Sequence, residues 1–179
     1  QVLLAKCDEL SVPAFCYEYD YCVQKNHEGS EQTGFRYLSQ KFTLDLPTLA
    51  LRGEHQMFNA AGVVASIMLL NDKFKITAAQ IAQGLTSASW PGRLQLIDKE
   101  TTQAVVGENI EIYLDGAHNE AGAIALANWA KLNLTGDVYL NLGMTRNRDA
   151  ATFCKHFHGC INQGIAVAVE SEPSSYSAG

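Results

Sequence analysis

Residues 110–142 read IEIYLDGAHNEAGAIALANWAKLNLTGDVYLNL, and this stretch decides the fold class of the chain. An apolar run at 110–114 predicts a strand, the amphipathic segment at 119–132 predicts a helix, and the apolar run at 138–142 predicts a second strand. Strands that alternate with helices are typical of a parallel sheet covered by helices. The sequence therefore predicts a mostly parallel α/β sheet in this part of the protein.

The tripeptide WPG at 90–92 separates two regions with different patterns. After it, the alternation continues to a helix at 150–157 and a strand at 165–169. Because a Pro-Gly pair interrupts regular structure, it marks a natural domain boundary. The sequence therefore predicts two domains, 1–90 and 91–179.

Further elements are predicted on both sides of that boundary. Helices are predicted at 2–10, 55–70 and 76–85, and strands at 14–17, 35–37 and 41–44. The polar run at 24–34 predicts a loop, and Thr77 is the expected N-cap of the third helix. The runs 94–97 and 104–106 are expected to pair around a turn, and the stretch between Arg93 and Asp115, with Gly107 in its middle, is expected to hold a long hairpin. The apolar side of the helix at 119–132 is expected to consist of Ile124, Leu126 and Trp129.

The composition bounds the class of protein. With 47% hydrophobic and 18% charged residues, the chain is globular rather than disordered. A net charge of −6 without a long basic run disfavours nucleic-acid binding. No apolar run approaches the ~20 residues that cross a bilayer, and no signal peptide is visible. The five cysteines are an odd number, which favours reduced thiols in a cytosolic protein.

The hexapeptide LDGAHN at 114–119 lies where a predicted strand ends and a helix begins. Open α/β sheets bind ligands at the carboxyl ends of their strands, so Asp115 is placed to hold ribose hydroxyls or a metal-bound ligand. The helix start favours a phosphate or a substrate carboxylate. The alternative is that Asp115 or Asn119 caps the helix and that His118 is a surface residue.

Two earlier motifs carry further candidate ligands. In WPGRLQ at 90–95, Arg93 follows a rigid turn, and its guanidinium suits a phosphate or carboxylate; the alternative is a structural ion pair. In LRGEHQMFNAA at 51–61, Gln56 and Asn59 share a helix face. Side-chain amides can present a donor and an acceptor to an adenine edge, and their alternative role is to cap the helix start.

The segment CKHFHGC at 154–160 contains four candidate zinc ligands. Only residues four apart, such as Cys154 and His158, would face together on a helix, so the sequence favours a helix end over a metal site. The sequence contains no GxxxxGK[ST] loop, no GxGxxG fingerprint and no GxSxG elbow. The usual signatures of P-loop proteins, dinucleotide-binding proteins and serine hydrolases are therefore absent from it.

Taken in order, the motifs LxGxHQxxNAA, WPGRLQ and LDGAHN resemble the folylpolyglutamate synthase/dihydrofolate synthase family, a branch of the Mur-ligase superfamily. The resemblance covers nearly the whole chain. It implies the end of a central ATPase domain at 1–90 and an incomplete Rossmann-like, mostly parallel α/β domain at 91–179. It also implies a cytoplasmic, monomeric ligase that uses ATP and Mg²⁺ to join L-glutamate to dihydropteroate or to reduced folates through an acyl phosphate.

The resemblance carries roles onto four residues. Asn59 matches an asparagine near the adenine, Arg93 an arginine that reaches ATP from the C-terminal side, and Asp115 an aspartate that contacts the nucleotide. His118 matches a histidine near the glutamate substrate and is the predicted catalytic residue. The run GMTRNRD at 143–149 resembles a family loop that ends in Lys-Asp, with arginine in place of the lysine.

Other parts of the family's active site are expected to precede Gln1, namely the P-loop, the main Mg²⁺ ligands and a modified lysine. This chain by itself is therefore predicted to have no ligase turnover. Three alternatives remain open: a peptidoglycan-precursor ligase of the Mur type, a non-catalytic module that binds nucleotide or glutamate, and a small metal protein built on residues 154–160.

Overall fold

The computed structural model describes residues 2–26, 34–106 and 110–177, which form two compact units, Gln1–Trp90 and Pro91–Gly179. The elements of the first unit are α1 (Val2–Leu10), β1 (Tyr21–Lys25), β2 (Phe35–Ser39), β3 (Thr43–Leu46), α2 (His55–Phe74) and α3 (Ala78–Ser87). Those of the second unit are β4 (Gln95–Leu96), α4 (Lys99–Val106), β5 (Tyr113–Leu114), α5 (Glu120–Asn133), β6 (Tyr139–Leu142), α6 (Ala150–Lys155) and β7 (Gln163–Ala166). No helix within these described ranges has the length and apolarity that crossing a membrane requires.

The first unit is an antiparallel sheet packed against α2. The strands lie in the order β1-β2-β3, and Phe35 and Tyr37 face the core from β2 while Arg36 between them is exposed. The small residues Ala60 and Ala61 are buried on α2, so the helix backbone approaches the sheet closely. The core consists of Phe35, Tyr37, Leu46, Ala60, Ala61, Val64, Ala65 and Ile81.

Two local predictions in the first unit are confirmed and one is wrong. The predicted strands at 35–37 and 41–44 are present as the antiparallel pair β2–β3. Thr77 caps α3 in a capping box, because its hydroxyl accepts the Gln80 N–H while the Gln80 side chain accepts the Thr77 N–H. The predicted strand at 14–17 is not one: Tyr17 makes only an isolated bridge, and the chain turns where the Asp20 carboxylate accepts the Cys16 N–H at 2.7 Å.

The predicted loop at 24–34 lies partly outside the described residues. Its first two residues extend β1 to Lys25 by pairing with β2, and residues 27–33 are not described.

The second unit is built around α5, which packs on two sides. On one side Ala123 and Ala127 pack with Met144, Phe153 and Phe157. On the other side Trp129 and Ala130 pack against a buried leucine, Leu94. Strands β6 and β7 pair in parallel, with α6 in the connection, while β4 and β5 form a short antiparallel pair. The predicted alternation of strands and helices after residue 110 is thus present, with shorter strands.

The predicted pairing of 94–97 with 104–106 is wrong. Strand β4 pairs with β5 instead, and residues of the second run belong to helix α4. The helix starts where the Asp98 carboxylate accepts both the N–H and the hydroxyl of Thr101 at 2.8 Å, a local cap that outweighs the strand preference of the β-branched residues. The antiparallel β4–β5 pair joins the two ends of the long hairpin expected between Arg93 and Asp115, and Gly107 in the middle of that stretch is outside the described residues.

The predicted apolar side of α5 is partly wrong. Trp129 is buried and Leu126 packs against both cores, but Ile124 is 42% exposed. Small alanines instead face the protein, because β6 and α6 approach the helix closely at Ala123 and Ala127.

Candidate functional site

The WPGRLQ motif forms a turn with an unusual backbone. Gly92 has φ +71° and Leu94 has φ +45°, and the left-handed region is unfavourable for leucine because its Cβ crowds the following carbonyl. The turn is held by the Gln95 side chain, which accepts the Gly92 N–H at 3.0 Å, and by burial of Leu94, which is 1% exposed. A strained and well-supported turn of this kind is typical of functional sites.

Strand pairing brings this turn beside the LDGAHN motif. Gln95 pairs with Leu114 and Leu96 with Tyr113. Beyond the strands, the Gly116 N–H donates to the Gly92 carbonyl at 2.8 Å. Two motifs that are separated in the sequence therefore form one site in the second unit.

Asp115 links the two motifs through its side chain. One carboxylate oxygen accepts the Leu94 N–H and the other accepts the Ala117 N–H, each at 2.8 Å. Asp115 does not cap α5, because Asn119 is the N-cap and its side chain accepts the Gly122 N–H at 2.8 Å. Of the two residues proposed as caps from the sequence, Asn119 takes that role.

Arg93 projects from the turn as an exposed cation. A Cβ at position 116 would lie 3.2 Å from Arg93 Nη1, so the guanidinium rests over the Gly116 backbone. Within residues 2–26, 34–106 and 110–177 Arg93 has no ion-pair or hydrogen-bond partner. The structural ion pair considered from the sequence is therefore not formed in the described chain, and the guanidinium is available to an anion.

His118 is exposed beside this turn, and its tautomer is set by a backbone contact. Its Nδ1 lies 2.9 Å from the Gly116 carbonyl oxygen, which can only accept a hydrogen bond, so Nδ1 carries a proton. In the neutral ring, Nε2 then has a free lone pair that points away from this contact. The geometry leaves one basic nitrogen open to a substrate.

Asn59 belongs to the first unit, whereas the other three candidate residues belong to the second. Its Nδ2 donates to the buried Gln56 side chain at 3.0 Å, so the two amides share a face of α2 as predicted. Gln56 also contacts His55 Nε2 at 3.0 Å. Asn59 itself is exposed and lines a groove of about 590 Å³ between α2 and α3 whose wall is mostly apolar.

The loop at 143–149 follows β6 and is anchored by the C-terminal segment. The Tyr176 N–H donates to the Met144 carbonyl, and the Tyr176 hydroxyl donates to the Arg148 carbonyl. Asp149 caps α6 by accepting the Thr152 N–H at 2.9 Å, and this bond holds the pKa of Asp149 below its usual value. Asp149 therefore has a structural role in the described chain.

Two of the candidate zinc ligands at 154–160 contact other groups of the protein. The Cys160 thiol donates to the Phe157 carbonyl, and His156 lies 3.0 Å from Glu120 at the start of α5. The contact from Lys155, and then that from His156, lower the pKa of Glu120. The described residues contain no group of three or more side chains that could hold a metal ion.

Reasoning from the sequence missed Leu94 and Gln95 as parts of the site. No local sequence pattern indicates that the backbone of Leu94 is left-handed, because this residue is an apolar residue directly before a strand. The glycine directly after the aspartate does indicate close backbone approach, and the Gly116 N–H binds the Gly92 carbonyl.

The sequence of the chain is similar to those of several known proteins. No protein-family model matches the chain. The chain is 35% identical over 136 residues to the dihydrofolate synthase/folylpolyglutamate synthase of Bacillus subtilis, a match that covers 73% of this chain and 29% of that protein. The chain belongs to the folylpolyglutamate synthase/dihydrofolate synthase family. It spans less than a third of the length of this Bacillus relative.

Solved structures of the folylpolyglutamate synthase/dihydrofolate synthase family share the fold. The folylpolyglutamate synthase of Mycobacterium tuberculosis, complexed with ADP and AMPPCP, has a TM-score of 0.78 at 19% identity, over 98% of this chain and 38% of that one. A bifunctional folylpolyglutamate synthase/dihydrofolate synthase with Mn, AMPPNP and L-glutamate bound has a TM-score of 0.78 at 22% identity, with the same coverage. These likenesses confirm the α/β fold class.

Proposed function

We propose that this chain supplies the Arg93–Asp115–His118 side of the active site in an ATP-dependent ligase that adds L-glutamate to dihydropteroate, to folates or to both. The reaction would form an acyl phosphate from ATP and the folate carboxyl, and glutamate would displace phosphate to give an amide. The observation that carries this proposal is the exposed Arg93 guanidinium, which has no partner in the described chain and projects from a braced turn beside the start of α5.

Each residue has a role that its geometry suits. Phosphoryl transfer spreads negative charge over the phosphate oxygens, and a pre-positioned guanidinium stabilises that charge without reorganisation. The free Nε2 of His118 can accept a hydrogen bond or proton from the glutamate ammonium, which must lose a proton to attack. Asn59 would present its amide to the adenine edge.

The divalent cation expected in the family has no ligand set in the described part of the chain. Mg²⁺ prefers carboxylates and phosphate oxygens in octahedral geometry, and the described residues offer no group of three or more potential metal ligands. We therefore assign no step of the reaction to Mg²⁺ through these residues.

Two observations bear on the compartment and partners of the protein. We propose a monomeric, cytoplasmic enzyme that has no nucleic-acid partner. All five cysteines are free thiols, which suits a reducing compartment. The net charge of −6 does not favour contact with nucleic acid.

The test uses a chimera in which the complete chain replaces its matching segment in the Bacillus subtilis relative. We expect glutamate-dependent ADP release with dihydropteroate or tetrahydrofolate, and a loss of roughly 10²- to 10³-fold in Arg93→Ala, as for removal of one transition-state donor. Lys131→Ala, which removes an exposed cation from the end of α5, is the matched control and should retain activity.

Three results would oppose the proposal. Full activity in Arg93→Ala would show that this arginine takes no part in the reaction. A chimera that binds ATP without releasing ADP would favour a non-catalytic binding module, and turnover with UDP-linked peptidoglycan precursors would favour a Mur-type ligase. The 179-residue chain alone is expected to release no ADP in the same assay, and substrate-dependent release would contradict that expectation.

A further inference from the structure

We propose that Tyr176 is a positioning residue for the loop at 143–149, and that the C-terminal segment at 169–176 holds this loop so that its two arginines bind a carboxylate of the acidic substrate. The inference rests on the proposed function in one respect, which is that L-glutamate is a substrate. The contacts that fix the loop do not depend on that function.

The loop at 143–149 carries two cations that are open to a ligand. Arg146 and Arg148 are both exposed, and neither guanidinium forms an ion pair in the part of the chain that the structure describes. Met144 in this loop belongs to the core against which Ala117 packs, and Ala117 directly precedes His118. An acidic amino acid whose ammonium meets His118 would therefore have carboxylates to place near this loop, and guanidinium groups suit carboxylates through bidentate hydrogen bonds.

The C-terminal segment lies beside the loop and binds its backbone at two points. The Arg146 N–H donates to the Ser174 carbonyl at 2.7 Å, and the Tyr176 N–H donates to the Met144 carbonyl at 2.9 Å. The loop and the segment thus run beside each other as a short antiparallel pair. These bonds hold the first half of the loop, between the end of β6 and Arg146.

The Tyr176 side chain adds a contact in the second half of the loop. Its hydroxyl donates to the Arg148 carbonyl at 3.0 Å, 28 residues earlier in the chain. The Arg148 N–H donates to the Thr145 carbonyl at 3.0 Å. Because the N–H and the carbonyl of Arg148 are both engaged, the direction in which its side chain leaves the loop is set by these two bonds. Removal of the tyrosine hydroxyl would release the carbonyl and leave the backbone bonds of the first half in place.

The C-terminal segment is itself held in shape by its side chains. The Ser175 hydroxyl accepts the Val169 N–H at 2.8 Å, and the Ser175 N–H donates to the Glu172 carbonyl at 2.9 Å. The Glu172 carboxylate accepts a hydrogen bond from the Ser174 hydroxyl at 2.7 Å, and this bond lowers the pKa of Glu172. A segment closed in this way is preorganised, so it supports the loop before any ligand is bound.

The test is an NMR titration of the ¹⁵N-labelled complete chain with L-glutamate at constant ionic strength, followed through the amide resonances of the loop. Tyr176→Phe removes only the hydroxyl and should weaken binding roughly fivefold, which is the size of effect expected from one neutral hydrogen bond. Tyr139→Phe removes an exposed hydroxyl from β6, the strand before the loop, and is the matched control. It should bind L-glutamate as the unaltered chain does.

A double variant shows whether Tyr176 acts through the arginine. Arg148→Ala should weaken binding roughly tenfold or more, because hydrogen bonds to a charged group are lost. With Arg148→Ala already present, Tyr176→Phe should cause no further loss. Losses that add would mean that the tyrosine meets the ligand independently, which overturns the positioning role. Loop resonances of the unaltered chain that do not respond to L-glutamate would overturn the carboxylate site.

A ligand-free measurement keeps this inference distinct from the proposed function. Tyr176→Phe should speed hydrogen exchange of the Arg148 amide, because the second half of the loop opens more often, whereas Tyr139→Phe should not. Unchanged exchange in Tyr176→Phe would show that the positioning role is wrong whatever the ligand. If the loop binds L-glutamate and responds to Tyr176→Phe while the chimera releases no ADP, the proposed function fails and this inference stands.

Discussion

Two loops of the second unit, 114–119 and 143–149, occupy the same local position and have different uses. Each follows a short strand, contains a glycine and an aspartate, and leads into a helix. In the second loop Asp149 caps α6, whereas in the first loop Asn119 caps α5. Asp115 is thereby free to bind the Leu94 N–H across the site. The difference follows from where each aspartate lies in its loop, because Asp149 directly precedes its helix whereas Asp115 directly follows its strand and leaves the cap to Asn119.

The largest expected difference between the loops is in catalysis. In the chimera, Asp115→Ala should lower glutamate-dependent ADP release by roughly a hundredfold, because misplacement of a catalytic group by about 1 Å has an effect of that size. Asp149→Ala should change the rate by less than about threefold, since the residue caps a surface helix. Steady-state assays of both variants measure these rates. Equal losses of rate would show that the two loops do not differ in their contribution to catalysis.

Substitution by alanine should destabilise the protein much more at the glycine of the second loop than at that of the first. A Cβ at Gly143 would lie 2.9 Å from Val169 Cγ2, a stiff side chain, so Gly143→Ala should cost about 1–3 kcal/mol of unfolding free energy. A Cβ at Gly116 would meet only the mobile end of Arg93 and a carbonyl, so Gly116→Ala should stay within about 0.5 kcal/mol. Urea unfolding of the complete chain measures both, and a Gly116→Ala cost as large as that of Gly143→Ala would contradict this.

The cap of α5 should contribute a moderate part of the stability. Asn119→Ala removes the acceptor of the Gly122 N–H and should cost about 1 kcal/mol. Asn119→Asp, which preserves an acceptor, is the matched control and should cost less. Urea unfolding measures the free energy of unfolding of both variants. If neither substitution changes it, packing alone stabilises the start of the helix.

The smallest expected difference concerns pH. The bond from the Thr152 N–H lowers the pKa of Asp149, so its stabilising effect is complete above the unfolded value of about 3.9 and is lost as pH falls through the folded value. The amide of Thr152 should therefore lose protection in acid. The amide of Gly122 should not follow the same titration, since its Asn119 partner carries no charge.

Amide hydrogen exchange read by NMR between about pH 2 and pH 6 covers the window in which an aspartate titrates. Asp149→Asn keeps an acceptor without a charge and should remove the acid dependence at Thr152. Acid-sensitive protection that persists in this variant would point to another carboxylate, such as Glu120, whose pKa is lowered by its contacts with Lys155 and His156.

The sequence was most informative where a signal is local. The helix period of α2, the capping pair Thr77 and Gln80, and the cap at Asn119 are contained within a few residues, and each is present in the structure. The failures also have local causes. The β-branched run in α4 resembled a strand because the cap at Asp98 was not weighed against it.

The amino-acid sequence by itself determined the order of most elements and the three motifs that carry the family resemblance, because periodicity, caps and turn residues act over short distances. Only the tertiary structure decided that Asp115 binds Leu94, that Arg93 lies over Gly116, and that alanines rather than Ile124 form the inner face of α5. Those choices depend on which distant groups the β4–β5 pair and the core of α5 bring within bonding distance, and no short stretch of sequence contains both partners.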